Sequence, residues 1–81
     1  MEERKLTYGE KLVGLTFNPG GDPKVTRAKE LFAEAADLLD EAYREKNLGH
    51  SSLTEALYGH AIGEVLNAQM NVVKILTFPK Y

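Results

Sequence analysis

Eighty-one residues with no cysteine and a formal charge of -2 set narrow bounds. A chain this short makes one domain that buries only about 60% of its unfolded surface, so it needs staples or self-association. Disulfides and thiolate metal sites are excluded, and a pI near 5.6 argues against a general nucleic-acid binder, which would carry a basic stripe.

No apolar run approaches the roughly 20 residues of a membrane span. The charged start Met1-Glu2-Glu3-Arg4-Lys5 leads into no signal-peptide core. A soluble, intracellular protein without membrane contact is the expectation. His50 and His60 lie too far apart in sequence to suggest a structural zinc site, and no cofactor is expected.

A single helical-hairpin domain over 1–81 is predicted, its N-terminal arm and a Pro/Gly corner occupying 1–22. Residues 1–6 are charged and expected to fray. Thr7 and Glu10 have capping-box spacing, and Gly14 can end a short helix over roughly 8–13; an extended Leu12 to Phe17 is the alternative. The corner, Phe17-Asn18-Pro19-Gly20-Gly21-Asp22-Pro23, drops into a long helix that Asp22 can cap and whose first turn accepts Pro23.

That first long helix runs from Pro23 to about Lys46, within a segment bounded at 23–47. Val25, Ala28, Phe32, Ala35, Leu39 and Ala42 alternate in steps of three and four, a coiled-coil seam. Leu31 and Leu38 widen it on one side, Ala36 and Tyr43 on the other. Glu30, Glu34, Asp37, Glu41, Arg44 and Glu45 read as the solvated remainder. Gly49 is placed to end this helix, and Ser52 with Glu55 forms a second capping pair, starting the next helix near Leu53 in the segment 52–77. So short a connection implies antiparallel neighbours.

The second long helix is apolar over most of its circumference. Tyr58, Ile62, Val65, Val72 and Leu76 form one seam, interrupted at Gln69; Leu66, Met70 and Val73 extend a second through Gly59 and Gly63; Leu57, Ala61, Ala68 and Ile75 form a third. Only His60, Glu64, Asn67, Asn71 and Lys74 make a polar stripe. Such a helix needs more partners than one hairpin supplies, and helical glycines four apart suggest close helix contact. A homo-oligomeric helical bundle built on this helix is expected.

Catalysis finds little support: there is no cysteine nucleophile or Gly-x-Ser-x-Gly elbow, and His60 with Glu64 is an incomplete metal pair. The chain is read as a binder and not an enzyme. Glycines and free N–H groups at a helix start suit an anion. Lys24, Arg27 and Lys29 can neutralise phosphates, Tyr8 and Phe17 can stack on a base, and Asn18 can read its polar edge. The competing reading is an ordinary rigid corner, with Phe17 in the core and the cations at the surface.

Gly9-Glu10-Lys11-Leu12-Val13-Gly14-Leu15-Thr16-Phe17-Asn18-Pro19, the Gly20-Gly21-Asp22-Pro23 that follows, and Ala68-Gln69-Met70-Asn71-Val72-Val73-Lys74 carry a resemblance. Across roughly 8–78 the chain resembles a family of small phage helical-hairpin proteins that includes the anti-CBASS cyclic-oligonucleotide sponges, with a related hairpin in anti-Thoeris sponges. The resemblance implies hexamers that trap cyclic nucleotide alarms uncleaved in the host bacterial cytoplasm, so that the defence effector is never activated. It implies cyclic dinucleotide pockets between protomers, and separate cyclic trinucleotide sites in some members.

It also implies an aromatic stacker just before the corner proline, where Phe17 or Asn18 stands here. A cation on the next helix meets phosphate in the family; Lys29 is the nearest match, with Lys24 and Arg27 as alternatives. In this chain Lys74 and Asn67, on the second long helix, are expected to line a second site. Two positions depart from the pattern: many relatives have tryptophan at the place of Asn71, and several have histidine at that of Asn18. Tyr8 is expected to compensate as a stacking group. The alternative function is a helical interaction module that inhibits or adapts a host protein.

Overall fold

The computed structural model describes residues 5–79, and all its elements are helical: α1 (Tyr8–Val13), α2 (Pro23–Glu45), a 3-10 turn (Leu48–His50) and α3 (Ser52–Leu76). Of the charged start read at 1–6, residues 1–4 lie outside the described part. The helix, not the extended alternative, forms at α1 because both its ends are chemically specified. Thr7 Oγ1 accepts from Glu10 N–H at 3.1 Å and the Glu10 carboxylate accepts from Thr7 N–H at 2.9 Å, a reciprocal capping box. Gly14 closes it at φ 64°, and Leu15 N–H reaches back to the Glu10 carbonyl at 3.0 Å.

α1 docks on α2 through a contact that only glycine permits. A Cβ at Gly9 would lie 2.0 Å from the Ala33 carbonyl oxygen. The Asp37 carboxylate fixes the pairing, accepting from Gly9 N–H at 2.6 Å and from the Thr7 hydroxyl at 2.7 Å. Asp37 is therefore not one of the solvated charges its helix position suggested. The same docking rotates the buried face of α2 beyond the expected seam. Val25, Ala28 and the flanking Ala36 are buried as anticipated and Lys29 and Ala33 join them, while Phe32, Ala35, Leu39 and Ala42 are half-buried and Leu31 and Leu38, expected to flank the seam, are exposed.

Asp22 caps α2 as the sequence predicts, accepting from Lys24 N–H at 2.9 Å, with Pro23 in the first turn. At the other end the details differ. α2 stops at Glu45 and the left-handed position falls to Asn47, at φ 51°, not to Gly49. Gly49 is required for space: a Cβ there would meet the Tyr43 hydroxyl at 2.5 Å. The Ser52–Glu55 capping pair is also corrected. Ser52 already lies inside α3, Ser51 is the cap residue, and its side chain makes no capping bond. The Thr54 hydroxyl instead donates to the Leu48 and Ser51 carbonyls, tying the 3-10 turn to the helix start.

The hydrophobic core is thin. Val13, Val25, Ala28, Ala33 and Ala36 are the buried apolar residues among those described, all small or β-branched. α3 adds only Gln69 to the buried set. Helices that share so little interior lie in one layer: the Cα extents are 48 × 40 × 13 Å. The radius of gyration is 14.7 Å, against about 12 Å for a compact domain of this length. Gly59 and Gly63, expected at a close helix contact, meet nothing within 4 Å in their own chain.

Candidate functional site

The corner is held by side chains that the sequence offered for ligand contact. Gly21 N–H donates to the Asn18 carbonyl at 3.0 Å, closing the turn over Pro19 and Gly20. The Asn18 amide donates to the Asp22 carbonyl at 2.9 Å and to the Thr26 hydroxyl at 2.8 Å. The N–H groups of Lys24, Val25 and Thr26 are all taken by Asp22. The free donors expected at this helix start are therefore engaged, and an anion would have to be met by side chains.

Such side chains gather on the other side of the corner. A cleft of about 680 Å³ opens between α1, the corner and the C-terminal half of α3. Among the described residues its titratable lining is wholly cationic: Lys11, Lys29 and Lys74, with no carboxylate. Phe17, Leu66, Met70 and Val73 supply apolar walls. Phe17 is 72% exposed, so it is a rim residue and not a core plug. A chain of net charge -2 thus keeps one face positive, and three nearby cations raise the local concentration of anions.

Lys29 has a second task. Only 6% exposed, its ammonium donates to the Phe17 carbonyl at 2.5 Å and the Gly14 carbonyl at 3.0 Å, and lies 5.5 Å from the Phe17 ring centroid. A buried ammonium is costly unless its donors are used, and here two carbonyls and a ring face receive them. Lys29 therefore knots the end of α1 to the corner and sets Phe17 at the cleft rim. Its charge still acts on the cleft.

The remaining sequence-derived candidates are dispersed. Arg27 faces a smaller acidic hollow with Glu10, Glu34 and Asp37, and pairs with Glu30 at 3.6 Å. Lys24 is exposed and does not line this cleft, and Asn67 lies on the exposed stripe of α3 beside the His60–Glu64 contact. Tyr8, 40% exposed, turns to the hydroxyl of Tyr58 and does not line the cleft. Burial, with that hydrogen bond, pushes the Tyr58 phenol well above the usual tyrosine range, while its ring packs on Tyr43 at 4.4 Å.

Phe17, Lys29 and Lys74 are thus brought together; Tyr8, Asn18, Lys24, Arg27 and Asn67 are not. Lys11 and Gln69 were not singled out as contacts from the sequence. Lys11 carries no local signal, but Gln69 announced itself as the one break in an apolar seam. Comparison with known proteins gives no matching family model, no matching curated protein and no matching solved structure.

Proposed function

We propose that this protein binds and sequesters cyclic oligonucleotide second messengers without cleaving them, as a phage anti-defence sponge acting in the host cytoplasm on CBASS-type signalling. The observation that carries the reading is the cation-lined cleft with an aromatic rim in an otherwise acidic chain. Phe17 stacks on a base and Lys11 and Lys74 meet phosphate, while Lys29 holds the rim and adds field. These are the two interactions a cyclic nucleotide offers wherever it is held, a π-face and an anionic diester. Among the described residues neither an imidazole nor a carboxylate lines the cleft to move a proton, which favours holding over hydrolysis.

The assembly belongs to the same reading. Open clefts and exposed apolar flanks on α3 support a homo-oligomer, a hexamer by resemblance, whose protomers close the ligand between them. Calorimetric titration against cyclic di- and trinucleotides and cyclic ADP-ribose isomers tests it, with the ligand recovered afterwards. Tight binding with intact ligand released on denaturation is expected; silence across the panel, or recovery of a cleaved product, overturns it. A second reading, a module that docks on a host protein, is favoured by the apolar groove between α2 and α3, which the ligand does not need.

A further inference from the structure

One polar side chain in the cleft has no structural employment. Gln69 is 4% exposed, yet its carboxamide forms no hydrogen bond among the described residues, unlike the other buried polar side chain, Lys29. Among the described residues no fully enclosed side-chain nitrogen or oxygen lacks a partner, so the amide atoms of Gln69, a residue that lines the cleft, keep some accessible surface. A carboxamide in that position interrupts the seam of Ile62, Val65, Val72 and Leu76, which leucine or methionine would continue with more apolar burial.

We infer that Gln69 is the base-reading residue of the cleft, its amide engaging the edge of an adenine whose ring lies against Phe17 and whose phosphate lies toward Lys11 and Lys74. The chemistry selects the partner class. A carboxamide presents one acceptor and two donors side by side, which matches the adjacent amino donor and ring-nitrogen acceptor of adenine. A bare anion would use the lysines and leave Gln69 unpaired. An aliphatic ligand would use the apolar walls and do the same. Gln69 is thus a specificity determinant, distinct from the cations that supply attraction. The inference rests on the function proposed above for its ligand class, a nucleotide, and for the places of base and phosphate in the cleft.

The test follows the side-chain amide resonances of Gln69 in the isotope-labelled full-length protein during titration with cyclic di-AMP and, separately, with AMP. Both amide protons are expected to move with saturation. Gln69→Leu should weaken cyclic di-AMP binding about tenfold, the scale of one buried hydrogen bond lost, while leaving helicity intact. Gln69→Glu, which loses the donors, should weaken it at least as much. If cyclic di-AMP binds while the Gln69 amide stays unmoved and Gln69→Leu binds equally well, Gln69 is no reader and sequestration still stands. If AMP moves the amide but no cyclic nucleotide binds, Gln69 recognition stands and the sponge reading falls. If neither ligand moves it, the inference is overturned.

Discussion

Gly9 shows most directly how one residue can set the architecture. With the Ala33 carbonyl oxygen 2.0 Å from any Cβ, alanine there must push α1 off α2. Overpacking against rigid backbone costs about 1–3 kcal/mol or more, and the Asp37 bonds to Gly9 and Thr7 would be strained with it. Gly9→Ala is therefore expected to lower the urea midpoint and to disorder Phe17, whose position depends on α1 through Lys29; an unchanged midpoint would contradict the packing. Lys29→Met separates the two roles of Lys29. It removes the ammonium that joins the Gly14 and Phe17 carbonyls, so it should destabilise the corner as well as weaken ligand. Lys74→Met lies on the exposed stripe and should weaken an anionic ligand with no loss of thermal stability. Equal stability losses in both variants would refute that division.

At the scale of elements, the tyrosine cluster links α1, α2 and α3, and its ionisation gives the fold an alkaline limit. The folded state raises the Tyr58 phenol above its unfolded value of about 10. That stabilisation is fully present below about pH 10 and is lost as pH rises beyond it, because the unfolded chain gives up the proton more readily. Ultraviolet titration should show one tyrosine resisting ionisation until the helices melt, and Tyr58→Phe should remove that late step. The elements themselves were largely legible: the Thr7–Glu10 box, Gly14, Asp22-Pro23 and the two long periodic stretches are local signals, and local signals survive into the fold. What was hidden came from contacts distant in sequence. Asp37 looked solvated because its partners, Thr7 and Gly9, are about thirty positions away. Asn18 and Lys29 carry the residue types of a binding site but spend their donors on the corner. The sequence points to Gly49 for the end of α2, but Asn47, of a residue type that enters the left-handed region more readily than most, takes that position, while Gly49 answers to the Tyr43 ring. Gln69 was visible only as a fault in a pattern.

The whole molecule exposes more surface than a monomer of its mass should. Its accessible area is 6272 Å², against about 4,900 Å² for a folded 9.0 kDa chain. The excess of about 1,400 Å² exceeds the roughly 800 Å² that each partner buries in a stable interface. Two apolar stripes contribute to it. Leu31, Ala35, Leu38 and Ala42 recur at heptad spacing along α2, and Leu53, Leu57, Ala61 and Ile75 run along α3. A groove of about 270 Å³ joins the two stripes where Ala42 faces Leu57 and Ala61. Leu38, Leu53, Leu57 and Ile75 are each at least 66% exposed, and burying one such side chain is worth about 1.5–3 kcal/mol. A single-layer hairpin whose buried apolar residues, among those described, are two valines and three alanines cannot match that gain from within. Self-association through these stripes should therefore make folding and assembly one event, with a melting temperature that rises with protein concentration. Sedimentation of the wild type should give a closed oligomer, and Leu38→Glu with Leu57→Glu should dissociate it and lower the melting temperature together. A wild type that sediments as a monomer and melts independently of concentration would leave the apolar stripes for another protein, and would remove the shared pocket from the sequestration proposal.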